Sequence, residues 1–418
     1  MAIDVNVADA PLDELEYPTP QLVNCPYGFY QRLRDEAPVH RLPNGDFVVS
    51  RYDDIVYIDR HPELFSNFIG PLNPGFAQAY GVDADVQGSG KLTPWPLPFT
   101  DPPDHKLKRS LIQPLVNRDR LAEYEPMIRK IADDLIDGFV DKGACNFRAD
   151  FAVHLPPKVF LRIFDVPLAD EPKVRNWMEK MQGQGFRHAT EEQKQAQFVA
   201  ADAAREYFEA LILERFENPG KDFLSEIVHA KYDRDGDLDL HYFVGEATTL
   251  YQAAYHNTVY MLANTMLLFL QNPDQLERVV ADLGLLRTAI DESLRRESPV
   301  QWLQRIVTQD TELHGVLMPK GAVVLILYGS ANRDDRKFDD PERFWVDRPD
   351  VTKEQLAFGH GIHLCLGAPL ARLEGIVAFE QVLSRLKNIR LAEENDLSNI
   401  VTVNHRGPKT VNIEFERA

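Results

Sequence analysis

Residues 358–367 read FGHGIHLCLG: one cysteine, Cys365, stands among three glycines just before an apparent helix that begins at Ala368. Glycine allows positive φ angles and lets the backbone approach a flat partner closely. The N-terminus of a helix stabilises a sulfur anion and lowers the pKa of a thiol. The stretch therefore predicts a cysteine thiolate that can ligate a metal ion held in a planar group. A buried structural cysteine beside a glycine-rich turn is the alternative.

The same stretch resembles the haem loop of the cytochrome P450 family, Phe-Gly-x-Gly-x-His-x-Cys-x-Gly, at every fixed position. The resemblance implies the cytochrome P450 fold, which is mainly α with a small β-rich region. It also implies haem b (iron protoporphyrin IX) as the cofactor, held between a long central helix and the cysteine loop. Cys365 would be the axial ligand of the iron and Phe358 a neighbour of the haem. Such a thiolate favours O–O cleavage.

Two further motifs fit this resemblance. Residues 292–295 read ESLR and resemble the family's Glu-x-x-Arg helix, with Glu292 and Arg295 as its charged pair. Residues 341–344, followed by Arg348, resemble the segment that completes a buried Glu/Arg/Arg network. By itself, a Glu and an Arg three residues apart usually form a surface ion pair. In this order before the cysteine loop, the resemblance implies structural support under the haem.

A haem brings two carboxylates, and a buried charge without a partner is costly. Residues 102–109 read PPDHKLKR and resemble a family helix start whose His and Arg bind propionates, which correspond to His105 and Arg109. These two lie four residues apart, on one helical face. Arg305 matches a strand arginine that serves the other propionate, and His363 lies within the cysteine loop. A solvated charge is the alternative for each.

The segment from about Leu240 to Leu270 contains no proline and a single glycine, Gly245. It is apolar on most sides, which predicts one long buried helix of about 45 Å. A helix of that kind usually forms the spine of a fold.

The sequence departs from the family on this helix, where the usual pattern is Ala/Gly-Gly-x-Asp/Glu-Thr. The corresponding residues are 253–257, so Ala254 replaces the glycine, His256 the acid and Asn257 the alcohol, with Thr258 next. Residues 245–249 (GEATT) form a rival register with an acid and two threonines. They lie about two turns too early by the family's spacing and lack the alanine-glycine step.

Asn257 and His256 are the predicted catalytic residues, with Thr258 as a further candidate. Asn257 offers a donor and an acceptor that could hold a water, and His256 titrates near neutrality. One alternative is that both only satisfy helix hydrogen bonds, while Thr258 or water relays protons. Another is that proton delivery is altered because the enzyme catalyses a different reaction, as a peroxide-using or non-oxygenating haem enzyme would.

Apolar and aromatic side chains are expected at the substrate pocket. The resemblance places it between residues 70–100, residues 177–186, the central helix and the strand after the Glu-x-x-Arg helix. The candidates are Trp95, Phe99, Phe186, Leu250, Val300 and Trp302. Such a set suits a small or medium hydrophobic ligand, and plain core packing is the alternative for each.

No repeat, low-complexity tract or Gly/Ser linker divides the 418 residues, so we predict a single domain over 1–418. Residues 1–20 are expected to be a poorly ordered extension. Helices are expected from about residue 104 to 294, and again from about Ala368. Short strands are expected at Phe47–Val49, Asp53–Ile58, Thr311–Leu313 and Ala322–Tyr328.

Composition argues against several classes of function. A net charge of −19 would repel phosphate backbones, so no nucleic-acid partner is expected. The three cysteines are far apart and odd in number, which fits a reducing cytoplasm better than a disulfide framework. No stretch reaches the ~18 apolar residues of a membrane span, and the first thirty residues resemble neither a signal peptide nor a membrane anchor.

No flavin or nicotinamide fingerprint follows the cysteine loop, so electrons are expected from a separate ferredoxin and its reductase. Lys106, Lys108, Arg109 and Arg372 would form a basic docking patch on the cysteine side. The resemblance thus implies a monooxygenase that inserts one atom of O₂ into a hydrophobic substrate. The alternatives are a haem-thiolate enzyme of other chemistry (peroxygenase, coupling or isomerising) and a haem sensor without turnover.

Overall fold

A helix of 32 residues, Leu240–Gln271, runs through the computed structural model of the chain and confirms the predicted central helix. Asp239 caps its N-terminus, because its side chain accepts a hydrogen bond from the Tyr242 amide. Most of its side chains are buried whichever way they point, as an all-round apolar helix requires. The structure describes residues 10–69, 95–182, 190–400, 402 and 404–418.

Further helices surround the central helix, and they dominate residues 104–296, as predicted. In chain order the α-helices are α1 (Pro20–Asn24), α2 (Tyr27–Glu36), α3 (Tyr52–Arg60), α4 (Asp104–Ile112), α5 (Arg118–Asp137), α6 (Leu155–Ile163), α7 (Glu171–Gln182), α8 (Glu191–Glu217), α9 (Phe223–Asp235), α10 (Leu240–Gln271), α11 (Pro273–Ala281), α12 (Leu286–Arg296), α13 (Tyr328–Ala331), α14 (Val351–Glu354) and α15 (Ala368–Arg385). Within the described ranges, none of these helices combines the length and apolarity that crossing a membrane demands.

Short strands form three small sheets in the described part of the chain. In chain order they are β1 (Val39–Arg41), β2 (Phe47–Val49), β3 (Phe65–Ser66), β4 (Ala144–Asn146), β5 (Leu303–Val307), β6 (Thr311–Leu313), β7 (Val316–Met318), β8 (Val323–Ile326), β9 (Leu386–Leu391) and β10 (Asn412–Arg417). The largest sheet has the order β1-β2-β8-β5-β3, with β2 and β8 parallel and the other pairs antiparallel. The predicted strands at β2 and β6 are confirmed.

The predicted strand at Asp53–Ile58 is wrong, because these residues belong to α3. Ile55 and Ile58 are three residues apart and both fully buried, so the apolar positions follow the helical period and do not alternate. Asp53 lies in the first turn, where an acidic side chain interacts favourably with the helix dipole.

The start of the chain packs against the main sheet. Of residues 1–20, residues 1–9 lie outside the described residues. Leu12 and Tyr17 are buried in a cluster that includes Trp302. The rings of Tyr17 and Trp302 meet edge to face, with centroids 6.4 Å apart.

The Glu/Arg/Arg network is confirmed. Glu292 accepts two hydrogen bonds from Arg295, of 2.7 and 2.9 Å, and one of 3.0 Å from Nε of Arg348. Arg295 also donates to the carbonyl oxygens of Asn332 and Pro341. Because each charge is paired and hydrogen-bonded, the network tolerates burial. It joins α12 to the segment that leads into the cysteine loop.

Candidate functional site

The cysteine loop lies between α14 and α15 and is shaped by its glycines. Gly359 and Gly361 have φ angles of +71° and +68°, a region that favours glycine. A Cβ on Gly361 would overlap the backbone carbonyl of Asp59, so the loop packs directly on the end of α3. The Cys365 amide donates to the carbonyl oxygen of Phe358, 2.8 Å away, just before α15 begins.

Cys365 is exposed as a residue, while its thiol is desolvated by the surrounding protein. This desolvation raises the pKa of Cys365, and the amides of Gly367 and Ala368 and the guanidinium groups of Arg109 and Arg372 act to lower it. Two amides at the start of a helix and two cations therefore surround the sulfur. These four groups favour the thiolate, but desolvation outweighs them, so the pKa of the Cys365 thiol is not lowered as the sequence predicts.

Two imidazoles lie at this loop, the buried His105 on α4 and the half-buried His363 in the loop itself, with ring centroids 4.3 Å apart. Burial lowers the pKa of His105 to about 4 and that of His363 to about 2, so both are neutral at pH 7. Neither Nε2 atom has a hydrogen-bond partner among the described residues. Because buried polar atoms are normally paired, these two nitrogens mark a place for an external partner.

Arg109 ties α4 to the cysteine loop. It lies one helical turn after His105 and donates to the carbonyl oxygens of Ile362 and Leu364, at 3.1 and 2.9 Å. The structure therefore brings His105, Arg109 and His363 together, while their binding of propionates stays a prediction.

Arg305, on β5, already holds a carboxylate of the protein. Its Nη2 donates to Asp59 Oδ1 at 2.7 Å and lies 3.4 Å from the hydroxyl of Tyr328. Asp59 is buried and also accepts a hydrogen bond from that hydroxyl. The charge of Arg305 adds to burial in lowering the pKa of His363, which places Arg305 in the same group of residues. No local pattern in the sequence indicates Asp59, because its partner Arg305 is 246 residues away.

These residues fit a haem. The thiol of Cys365 can ligate an iron, and the loop's glycines keep the backbone free of side chains around it. His105 and His363 offer two buried nitrogens with no partner among the described residues, and Arg109 and Arg305 add positive charge. This set matches the needs of a flat group with two carboxylates.

One face of the central helix is open, although most of the helix is buried. Leu250, Ala254 and Asn257 are half-buried and Ala253 is exposed. Their spacing of three and four residues places them on one side of the helix. We call these four residues the open face.

Helix α15 meets the same side of the central helix one turn after the open face. A Cβ on Gly375 of α15 would lie 3.1 Å from Cε of Met261, which is four residues after Asn257. Because α15 begins just after Cys365, this crossing brings the cysteine loop and the open face to one region of the molecule. The expected position of haem, between the central helix and the loop, agrees with this packing.

Asn257 presents an uncommitted acceptor on the open face. Its Nδ2 donates to the carbonyl oxygen of Ala253 at 3.1 Å. Its Oδ1 is buried and has no hydrogen-bond partner among the described residues.

His256 and Thr258 do not lie on the open face, because successive residues of an α-helix are about 100° apart. His256 is buried, with its ring centroid 4.4 Å from that of Tyr255. Burial, and then the nearby His405, lower the pKa of His256 well below its ordinary value, so it is neutral at pH 7. The structure thus does not bring the side chains of His256 and Asn257 together.

Glu246, the acid of the rival register, lies on the same side of the helix but is committed elsewhere. It is only 1% exposed, and its Oε1 accepts a hydrogen bond from the Leu97 amide at 2.7 Å. Eleven residues separate it from Asn257, about 16 Å along the helix. Glu246 therefore holds the backbone near Leu97 and is not an acid partner of Asn257.

The expected pocket residues divide into two groups. Phe99, Leu250 and Val300 are half-buried, as residues that line a ligand site would be. Trp95 is fully buried against the edge of Phe68, at 5.8 Å between centroids.

Trp302 belongs to the N-terminal core cluster, so the structure places it in packing around the start of the chain. Phe186 lies outside the described residues.

The expected basic docking patch is partly wrong. Lys108 is fully buried and cannot belong to a surface. Arg372 pairs with Asp291 at 2.8 Å and lies over the ring of Phe358, 4.6 Å from its centroid. Lys106 remains exposed.

Comparison with known proteins agrees with this geometry. The family model described as Cytochrome P450 matches residues 160–404. Cytochrome P450 107B1 of Saccharopolyspora erythraea is 33% identical over 378 residues, with 88% of this chain and 89% of that protein covered. Steroid C26-monooxygenase of Mycobacterium tuberculosis is 32% identical over 370 residues, with 88% of each covered. The crystal structure of CalO2 aligns with a TM-score of 0.86 at 27% identity, covering 96% of this chain and 99% of that one.

Proposed function

The chain belongs to the cytochrome P450 family and is a cytochrome P450 monooxygenase; from this premise we propose that it uses haem b to oxidise small-to-medium hydrophobic substrates with electrons from a separate ferredoxin. The observation that carries the proposal is the convergence of a thiol, two neutral imidazoles and two guanidinium groups around one glycine-shaped loop. These belong to Cys365, His105, His363, Arg109 and Arg305.

Each of these residues has a distinct task in holding the cofactor. Cys365 would be the axial ligand of the iron. Nε2 of His105 and of His363 would bind the carboxylates, with charge from Arg109 and Arg305. When bound, the haem supplies the redox chemistry of dioxygen, and its thiolate ligand favours O–O cleavage.

The substrate side is apolar. Leu250, Ala253 and Ala254 of the open face carry no polar side-chain atom, and Phe99 and Val300 are half-buried candidates for the remaining walls. Apolar walls with few polar groups suit a hydrophobic ligand.

Asn257 is the polar group of the open face. Its Oδ1 can accept a hydrogen bond from a water or from a substrate hydroxyl, while the bond from Nδ2 to Ala253 fixes the orientation of the amide. His256 is neutral and is buried on another side of the helix, so it cannot deliver a proton to the Asn257 amide. We infer that a water positioned by Asn257 carries protons to the open face.

A peroxide-using chemistry is the second candidate, and one observation favours it. Of the described residues on the open face, none is acidic, and the nearest acid along the same side of the helix, Glu246, is committed to Leu97. An enzyme supplied with hydrogen peroxide needs neither external electrons nor the usual delivery of protons.

The electron donor would meet the cysteine side. Lys106 is exposed there, together with the apolar side chains of Leu107 and Leu364, each 45% exposed. An acidic ferredoxin fits such a surface. Lys106→Glu should then slow the reduction of the haem by ferredoxin at low salt. Lys130 is an exposed lysine on α5, and Lys130→Glu should not slow it. Equal rates in the two variants would argue against this docking surface.

The decisive experiment combines two measurements on the purified enzyme. The reduced carbon monoxide complex should show the thiolate-type Soret band, and Cys365→Ser should lose it; its absence from the wild type would refute Cys365 as the ligand. A screen of hydrophobic compounds for haem spin shifts then supplies ligands for turnover. Product with ferredoxin, reductase and NADPH supports the monooxygenase, and product only with hydrogen peroxide supports the second candidate.

A further inference from the structure

Two oppositely charged side chains interact electrostatically inside the protein, beyond the open face. Glu246, on α10, is 1% exposed and Lys108, on α4, is 0% exposed. Glu246 Oε1 accepts the Leu97 amide at 2.7 Å, and Lys108 Nζ donates to the Trp95 carbonyl oxygen. Two helices thus hold the backbone of one short segment, Trp95–Leu97, through charged groups.

Neutral groups also restrain this stretch. Thr100 Oγ1 donates to the Leu97 carbonyl oxygen at 2.9 Å, and Asn67 Nδ2 donates to that of Pro98 at 3.2 Å. Hydrogen bonds to charged groups are stronger than those between neutral groups. Of these four hydrogen bonds, the two made by Glu246 and Lys108 are therefore the stronger, and they act on the stretch that carries Phe99.

We propose that Glu246 is a positioning residue that, with Lys108, holds the Trp95–Leu97 segment beside the substrate pocket, and that the hydrogen bond from the Leu97 amide to Glu246 strengthens as the pH rises through neutrality. The proposal rests on the proposed function, since it concerns the wall of the same pocket. Glu246 acts through the backbone of this segment and touches neither substrate nor cofactor.

The electrostatics of the pair support the pH dependence. Burial raises the pKa of Glu246 to about 7, although Lys108 and the Leu97 amide act to lower it. Burial lowers the pKa of Lys108 to about 8, although Glu246 acts to raise it. The other charged or titratable groups that face the pair are Asp104 on α4, Lys231 and Arg234 on α9, and Asp239 and Tyr242 at the start of the central helix.

The direction of the effect follows from the charge on Glu246. Below its pKa the carboxyl is largely protonated, and it accepts the Leu97 amide only as a neutral group. Above its pKa the carboxylate accepts a charge-assisted hydrogen bond, which is shorter and stronger. Protection of the Leu97 amide should therefore increase from pH 6 to pH 8.

Hydrogen–deuterium exchange of the haem-loaded enzyme tests this directly, with rates corrected for the intrinsic effect of pH. In Glu246→Ala, the Leu97 amide should exchange about 10-fold faster or more at pH 8, because its charged acceptor is gone. In Glu246→Gln, which keeps an acceptor, the amide should stay protected but lose the change between pH 6 and pH 8. Glu374→Gln is the matched control, since Glu374 on α15 is also a buried carboxyl, 2% exposed.

Two outcomes would overturn the proposal: wild-type exchange in Glu246→Ala, or a wild-type pH profile in Glu246→Gln. Access to the pocket is tested with tert-butyl isocyanide, a neutral ligand of reduced haem, which should dissociate faster from Glu246→Ala. An unchanged dissociation rate would show that the segment does not cover the pocket. A missing thiolate-type Soret band would instead count against the proposed function, while the exchange of Leu97 can be measured regardless.

Discussion

The side-chain amide of Asn257 is only half used, since Nδ2 donates to the Ala253 carbonyl oxygen while Oδ1 is buried and has no hydrogen-bond partner among the described residues. Asn257→Ala removes the acceptor that would hold a water. A net hydrogen bond of ordinary strength corresponds to a change of about 5- to 10-fold. We therefore expect product formed per NADPH consumed to fall by about that factor, with hydrogen peroxide released in its place. Both are measured with the strongest spin-shift ligand.

Asn272→Ala is the control for this prediction. Asn272 also donates to the carbonyl oxygen four residues before it, that of Leu268, at 2.8 Å, but it stands at the C-terminus of the central helix. Its loss should leave coupling unchanged. If Asn257→Ala couples as well as the wild type, the amide positions no water that matters, and Thr258 becomes the next residue to test.

At this scale, the sequence predicted residues whose roles depend on a local motif and missed those that depend on distant partners. Cys365 and His363 lie within ten consecutive residues, so the pattern itself identifies them. Lys108 sits among other charges in the sequence and was expected at the surface. Its burial depends on Glu246, which is far away in the chain, and no local pattern shows that pairing.

The contact between α15 and the central helix sets the distance between the cysteine loop and the open face. A Cβ on Gly375 would lie 3.0 Å from Cδ1 of Ile290 and 3.1 Å from Cε of Met261. Gly375→Val overfills this contact, and overpacking of a core typically costs about 1–3 kcal/mol. We expect a lower free energy of unfolding by about that amount, measured by chemical denaturation, and a shifted Soret band in the carbon monoxide complex.

Gly28→Val provides the comparison, because Gly28 is also helical, on α2, and a Cβ there meets nothing within 4 Å. It should change stability only through helix propensity and should leave the Soret band in place. A Gly375→Val variant that behaves like Gly28→Val would mean that the side chains of Met261 and Ile290 yield freely.

Helices and strands were predicted correctly where a long run of apolar residues indicated them. The central helix was expected from about residue 240 to 270 and is observed at Leu240–Gln271. The error at α3 arose because β-branched residues favour strands, while the burial of Ile55 and Ile58 depends on the helical period. Tertiary packing decided between the two.

Desolvated imidazoles make the whole molecule sensitive to acid, and the half-buried His405 is one of them. Burial lowers the pKa of His405 to about 4 from its ordinary 6.5. The unfolded chain therefore binds more protons between these values, and the stability that is complete above pH 6.5 is lost as the pH falls toward 4. This contribution corresponds to at most about 3 kcal/mol for one such group.

His405→Gln should accordingly flatten the dependence of the unfolding midpoint on pH between 7 and 4.5. Thermal unfolding of the haem-loaded variant and wild type at matched pH values gives the comparison. Contributions of opposite sign from Glu246 and Glu374, whose pKa values burial raises, are common to both proteins and cancel in the difference. Parallel curves for the two proteins would contradict the prediction.

The open face has a consequence for how this chain can vary in evolution. A single inserted residue between Glu246 and Asn257 would rotate all that follows by about 100°, turning Asn257 away while Glu246 stayed in place. An insertion of a full turn would restore the direction but displace the cysteine-side end by about 5 Å. Indels in this stretch are therefore selected against, and on this helix new ligand preferences arise by exchanging side chains at Leu250, Ala253 and Ala254.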